Sequence, residues 1–465
     1  MARRYLLRTF GCQMNEHDAA RLAGLLEDDG LVPASSLEDA DVVVFTTCCI
    51  RESADQRLYG QLGQLKAWKE RRPGLQIAVG GCLAQKDREG IVARAPHVDV
   101  VFGTHNLGAA PGLLRRAAEE GPVVAVPEGP EGHDDGPVAA QRRDLPFSAW
   151  VTIQVGCDNR CAFCIVPQVR GREASRPLAE VVAEVEQLAT RGVTEVTLLG
   201  QNVNSYGRDL TRRRPLFAEL LRAVGSVPGI RRVRFTSPHP KDLRPETIAA
   251  MAETEAVCPQ LHLPLQSGSD RVLAAMHRGY TAQRYLDRLA AARAAVPDLA
   301  VTTDIIVGFP GETEEDFSQT LAVAAEVGYD SAYTFIFSPR PGTEAAGMTA
   351  SFVDPEVVAE RFERLRVVVE RSALARHQAR VGREEEVLVE GPSTKDPGAW
   401  SGRTAQGKLV HVAEPDPARW PAAGSYVTVG IVGAAPHFLR GELRAVLQPP
   451  RHQPTRRRVP VAVLG

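Results

Sequence analysis

The stretch Gly156-Cys157-Asp158-Asn159-Arg160-Cys161-Ala162-Phe163-Cys164 decides how this chain is read. Its spacing is Cys-x3-Cys-x2-Cys, and it follows directly on a strand-like segment, Trp150–Val155. Three thiolates on one tight loop can each take one iron of a four-iron cluster, whereas fully ligated clusters use four cysteines. The fourth iron is then open to chelation by a second molecule. A structural zinc site is the alternative, but such sites use four ligands, usually in paired Cys-x2-Cys units. No His or Cys close to Cys164 completes that set. Three core thiols are a weaker alternative, since nothing would gather them on a polar loop.

Working outward, six βα units surround this loop. Strand candidates are Trp150–Val155, Glu195–Leu199, Arg232–Thr236, Gln260–Leu265, Ala300–Val307 and Ser331–Phe337. Helical patterns separate them, among them Leu178–Thr190, Leu216–Val224, Thr281–Val296 and Glu314–Val327. The alternation predicts a partial (β/α)6 barrel over 147–377, closed by an Arg/Glu-rich helix from Pro355 to Arg380, with functional groups at the C-terminal strand ends. Upstream, Tyr5–Phe10, Asp41–Thr46 and Gln76–Val79 alternate with helical patterns at Asp18–Asp28 and Glu52–Lys69. Continuous β-branched runs of this kind belong to parallel sheets buried on both faces, so 1–120 reads as an open parallel α/β domain. Between the two, 121–146 carries Pro122, Pro127, Pro130, Pro137 and Pro146 and reads as a linker. Short strands at Glu386–Glu390, Gly407–Val412 and Ser425–Val432 make 378–447 a small all-β module. The tail 448–465 holds Arg451, Arg456, Arg457 and Arg458 without an acid, and disorder is expected there.

A chain of 465 residues has room for several domains. Formal net charge is −2, so a nucleic-acid surface must be a local patch. No apolar run reaches membrane-spanning length, and Met1–Tyr5 leads into a strand without a signal-peptide core; a cytoplasmic protein with no membrane partner is expected. Eight cysteines in such a chain do not suggest a disulfide framework.

Cys12, Cys48 and Cys82 each follow a strand of the first domain, about one βαβ period apart. Strand ends of an open parallel sheet share one crevice, which is where ligands bind. The three thiols can therefore converge, and Gly11, Gly80 and Gly81 allow close backbone approach. Three unrelated buried thiols remain the alternative that spacing alone leaves open. On the barrel, Gln201–Gly207, Ser237–Pro240, Gln266–Ser269 and Gly308–Thr313 follow the second to fifth strands. Each alone reads as a cap or turn; four on one rim favour a site. Asp304, inside an apolar strand, needs a partner or must face the lumen. His239 and His262 receive no role, and Cys258 reads as core.

The triad loop, with Phe163 before its last cysteine, resembles the signature of the radical S-adenosylmethionine (SAM) superfamily. The pieces Thr9–Asn15, Thr47–Glu52 and Gly80–Gln85 resemble the N-terminal domain of the methylthiotransferases, which carry a second four-iron cluster there. Cys48 keeps that motif's register, so Cys49, where the family more often has a small residue, is taken as a bystander. The resemblance implies two [4Fe-4S] clusters, one on Cys157, Cys161 and Cys164 that cleaves SAM, the other on Cys12, Cys48 and Cys82 that handles sulfur. It implies SAM contacts at Gln201, Asn202, Ser237, Gln266 and Asp304. The last module resembles a TRAM RNA-binding domain, with Arg403, Lys408, Phe438 and Arg440 as RNA contacts; a charged face on any small β module is the alternative.

Within the family, Gln201–Tyr206, Gln260–Gln266 and Thr302–Pro310 resemble the branch acting on N6-isopentenyladenosine beside the tRNA anticodon. The implied reaction places a methylthio group on C2 of that base: one SAM gives the radical that removes the C2 hydrogen, and a second methylates the sulfur. Two other branches are the alternatives, one acting on threonylcarbamoyladenosine in tRNA and one on a ribosomal-protein aspartate. A non-catalytic, metal-stabilised RNA-binding protein is the rival from another class. Implied partners are the anticodon stem-loop of tRNA, an electron donor such as flavodoxin or ferredoxin, and a sulfur source; a monomer is expected.

Overall fold

Short apolar runs separated by helices fold here as parallel sheets, because every strand must be crossed over before its neighbour can pair. The computed structural model describes residues 2–11, 13–48, 52–127 and 145–451. Cys12, Cys49, most of the linker (128–144) and the tail from 452 lie outside the described residues.

The first domain is a six-stranded parallel sheet of β1 (Arg4–Phe10), β2 (Val32–Pro33), β3 (Val42–Thr47), β4 (Gln76–Gly81), β5 (Val100–Phe102) and β6 (Val123–Ala125). The strand order is β2-β1-β3-β4-β5-β6. β3 and β4 are buried along their whole length, which is why they read as unbroken apolar runs. Leu22 and Leu26 of the helix Gln13–Asp28 pack on one face with Leu113 and Leu114 of Ala110–Glu120. Leu58, Leu62 and Leu65 of Glu52–Arg71 cover the other. Strand β6 falls inside the stretch expected to be linker: Val123 pairs with Val100 and is buried among these side chains.

The central domain contains β7 (Ser148–Thr152), β8 (Gln154–Val155), β9 (Ala174–Ser175), β10 (Glu195–Leu199), β11 (Arg232–Phe235), β12 (Gln260–His262), β13 (Ala300–Val307) and β14 (Ser331–Ile336). Two three-stranded parallel sheets, β11-β10-β7 and β12-β13-β14, form the partial barrel. An isolated bridge, Val233↔Val257, joins them. The expected first strand, Trp150–Val155, breaks after Thr152. Gln154 and Val155 turn away to pair antiparallel with Ser175 and Ala174, so a small hairpin encloses the cysteine loop.

After the helix Pro355–Gln378 come β15 (Glu384–Pro392), β16 (Ala399–Thr404), β17 (Leu409–Ala413), β18 (Tyr426–Ala434) and β19 (Leu439–Gln448), closed as a barrel in the order β15-β16-β17-β19-β18. Val387, Val389, Trp400, Val427 and Val429 fill it. The module docks on the N-terminal ends of the central strands. Arg232 donates to Arg403 O at 2.8 Å and to Glu386 Oε1 at 3.0 Å, and Arg234 donates to Thr404 O and Ala405 O, both at 2.9 Å. Lys408 belongs to this seam and not to an RNA surface. It is buried, with its Nζ 2.6 Å from Asp330 Oδ1, which leaves it no access to a phosphate.

Candidate active site

The loop between β8 and β9 owes its shape to Gly156. Its φ is +80°, and a Cβ there would fall 1.9 Å from Arg172 O. Cys157 N donates to Gly171 O at 3.1 Å and Cys164 N to Cys161 O at 3.0 Å. Ala162 fastens the loop to the barrel: its N–H donates to Met276 O at 3.1 Å and its carbonyl accepts from Ala345 N at 2.8 Å. Phe163 packs with Phe309 and Met276 in the cluster below. The three thiols are half-buried at the C-terminal end of the strands. Burial pushes the Cys157 thiol up to about 12, with the Cys164 and Cys161 thiols adding to the rise. Burial and Cys161 likewise take Cys164 up to about 11. Nη1 of the buried Arg278 lies 3.4 Å from Cys161 Sγ and supplies the nearest cation.

Around this loop the rim carries buried polar atoms that no described residue satisfies. They are Oε1 of Gln154, Gln201 and Gln266, Oδ1 of Asn202 and Nε2 of His239. Buried polar atoms in native proteins nearly always have partners, so five orphans on one rim fit a polar ligand. Ser237 (φ 58°) and Gln266 (φ 66°) hold left-handed backbone without being glycine; strain of this kind collects at ligand sites. Asn202 is held by Asp242, Nδ2 to Oδ2 3.0 Å. Against its burial, hydrogen bonds from Asn202 and Lys241 keep Asp242 down at about 2. Asp304 is on the lumen side of β13, its Oδ2 3.4 Å from His262 Nε2, while His262 Nδ1 lies 2.9 Å from Thr302 Oγ1. Gln201, Asn202, Ser237 and Gln266 thus share the rim, and Asp304 stands below them in the lumen.

Gln154, Glu173 and Arg278 carry no signal of this kind in the sequence. Glu173 Oε1 accepts from Asp158 N and Asn202 Nδ2, both at 3.4 Å, and burial raises its pKa. Only the β8–β9 hairpin, a long-range pairing, brings it to the rim.

In the N-terminal sheet, Phe10 pairs with Thr47 and Thr47 with Gly81, so Gly11, Cys48 and Cys82 follow in register on three adjacent strands. A Cβ on Gly11 would meet Cys48 Cβ at 2.2 Å, and one on Gly81 (φ 95°) would meet Thr47 O at 2.7 Å. Cys48 and Cys82 are buried. Among the described residues no three His, Cys, Asp or Glu side chains form a compact metal-binding group. The donor chemistry fits cluster ligation at the triad, three thiols on one loop; in the N-terminal sheet the described thiols, Cys48 and Cys82, stand at neighbouring strand ends, with glycines that let the backbones approach closely.

The N-terminal domain covers the barrel mouth. His17 Nδ1 lies 3.1 Å from Thr152 Oγ1 at the end of β7, and Thr104 Oγ1 donates to Val169 O at 2.7 Å. Ile165 and Val169, just after the triad, pack on Cys82.

Comparison with known proteins agrees with this division. Residues 151–324 match the Radical SAM superfamily, 4–103 an Uncharacterized protein family, UPF0004, and 378–443 the TRAM domain. A tRNA-2-methylthio-N(6)-dimethylallyladenosine synthase of Streptomyces viridosporus is 54% identical over 95% of this chain and 87% of its own. That of Acidothermus cellulolyticus is 55% identical over 94% and 87%. The chain belongs to this synthase family. Its α/β class, parallel N-terminal sheet and terminal all-β module are those expected from the sequence. As a radical SAM protein, this synthase-family member uses SAM and a [4Fe-4S] cluster. Among solved structures, the radical SAM methyltransferase TsrM of Kitasatospora setae, with cobalamin and a [4Fe-4S] cluster bound, superposes with a TM-score of 0.55. Identity is 15%, over 74% of this chain and 77% of that one, a likeness of fold alone. No helix among the described residues is long and apolar enough to cross a membrane.

Proposed function

We propose that this protein places a methylthio group on C2 of N6-isopentenyladenosine at position 37 of tRNA. The observation that carries the reading is the packing of Cys82, across the interface, against Ile165 and Val169 just after Cys157, Cys161 and Cys164, in a chain so similar to named synthases. Cys157, Cys161 and Cys164 hold the SAM-cleaving cluster, and Cys12, Cys48 and Cys82 hold a second. When bound, the clusters and SAM supply the radical, sulfur and methyl chemistry.

The chain's own residues bind, orient and exclude. Gln201, Asn202, Ser237 and Gln266 orient SAM at the rim, supported by the orphaned atoms of Gln154 and His239, with Asp304 held by His262 below. The N-terminal sheet, pinned through His17 and Thr104, keeps water from the mouth, which protects a reactive intermediate from side reactions. On the β module, Arg403, Phe438 and Arg440 are the RNA contacts. The Arg440 guanidinium lies 5.7 Å from the Phe438 ring centre, and Arg403 leans on Glu390 at 2.9 Å. A reductant such as flavodoxin or ferredoxin and a sulfur source act as partners of a cytoplasmic monomer. Mass spectrometry of tRNA nucleosides from a deletion strain tests the function. Loss of the 2-methylthio group with isopentenyladenosine retained is expected, and unchanged nucleosides would refute the substrate.

A further inference from the structure

A buried guanidinium stands between the two thiol sets. Arg170 ends the short helix Val166–Arg170 that follows Cys164, and it is only 4% exposed. Its Nε–H donates to Cys82 Sγ at 3.3 Å, and its Nη2 donates to Asp18 Oδ2 at 2.6 Å. Asp18 lies on the helix Gln13–Asp28, which begins directly after Cys12. One side chain of the barrel therefore touches a thiol of the N-terminal set and the helix Gln13–Asp28.

An interdomain ion pair with Asp18 alone would not explain the bond to sulfur. Nearby, Arg176 Nη1 pairs with the buried Glu184 at 2.6 Å, so Arg170 is the cation seen on the sulfur. His17 is buried, and its Nε2 has no partner among the described residues. A buried guanidinium donating to a thiol sulfur is complementary to an anionic group. A thiolate-bound iron cluster is one. Hydrogen bonds to cluster sulfurs tune reduction potential, and a guanidinium keeps its charge at any working pH.

We infer that Arg170 is a positioning residue for the N-terminal cluster. It holds Cys82 in its ligating orientation, offsets cluster charge, and fixes that site to the triad loop from which it springs. This rests on the assignment of Cys12, Cys48 and Cys82 proposed above.

The test uses the full-length chain carrying Cys157→Ala, Cys161→Ala and Cys164→Ala, in which only the N-terminal set can load. Iron and sulfide are counted after anaerobic reconstitution, retention is followed under a chelator, and midpoint potential is read by EPR-monitored titration. Adding Arg170→Met should weaken iron retention by about tenfold or more, as loss of such supporting contacts does, and move the potential to more negative values. Arg170→Lys, which keeps the charge, should recover part of both. Should Arg170→Met misfold because Asp18 is left buried and unpaired, the double variant Arg170→Met/Asp18→Asn removes both charges and is read instead, with circular dichroism as the fold control. Iron that is retained and titrates as in the triple-alanine parent, despite Arg170→Met, overturns the inference alone. A parent that takes up no iron overturns it together with the ligand assignment beneath it.

Discussion

At the scale of single residues, the proposed function gives Cys161 and Cys82 separate halves of the chemistry. Cys161→Ala should abolish SAM cleavage and methylthio transfer together. Cys82→Ala should still release 5′-deoxyadenosine under reduction yet yield no methylthio nucleoside. Chromatography of the two products reads both outcomes, and methylthio product from Cys82→Ala would sink the division of labour. Gly156 adds a conformational case. Gly156→Ala forces a side chain into left-handed backbone, costing roughly 1–2 kcal/mol, and drives its Cβ to 1.9 Å from Arg172 O. Iron bound by the triad should fall while the far-UV spectrum holds; full iron occupancy would show that the loop yields. Cys157, Cys161 and Cys164 were legible as one loop because their spacing is a local property. Arg170, Gln154 and Glu173 were not, since each gains its meaning from a partner distant in sequence.

At the scale of elements, long strands announced themselves and short ones did not. β10 and β13 run over Glu195–Leu199 and Ala300–Val307, as their β-branched runs foretell. β2, β5 and β6, of two or three residues, offer too few positions for any periodicity. The break after Thr152 was equally hidden, because Gln154 and Val155 continue the alternation of polar and apolar residues while pairing elsewhere. The long helix Pro355–Gln378 carries in its last turn His377, whose Nδ1 lies 2.8 Å from Ala435 O. Burial, with the charge of Lys408, lowers its pKa to about 4, and burial takes His17 to about 4 as well. Between there and the unfolded value of 6.5 the unfolded chain binds more protons, so stability rises with pH. The midpoint of thermal unfolding should drop on going from pH 7.5 to pH 5.5, and less so in His377→Gln. An equal drop in that variant would remove His377 from the account.

For the molecule as a whole, the three parts are locked at opposite ends of the barrel strands: the N-terminal sheet over the mouth, the β module beneath. Lys408 tests the lower seam. Lys408→Met leaves Asp330 buried and unpaired, and breaking a buried pair in this way costs about 3–5 kcal/mol. Lys408→Met/Asp330→Asn should regain much of that in calorimetry. Were Lys408 an RNA contact instead, the single variant would weaken tRNA binding and leave unfolding unchanged.

The sequence by itself determined the α/β class, the order of parts and the gathering of three thiols on one loop, because cysteine spacing and hydrophobic period are carried by neighbouring residues. Tertiary structure decided which charges are spent on seams, as with Lys408 and Arg232, and which stand beside the thiols, as with Arg170 and Arg278. Whether a basic side chain meets solvent, a carboxylate or a sulfur depends on what another part of the chain places against it, and no local pattern records that.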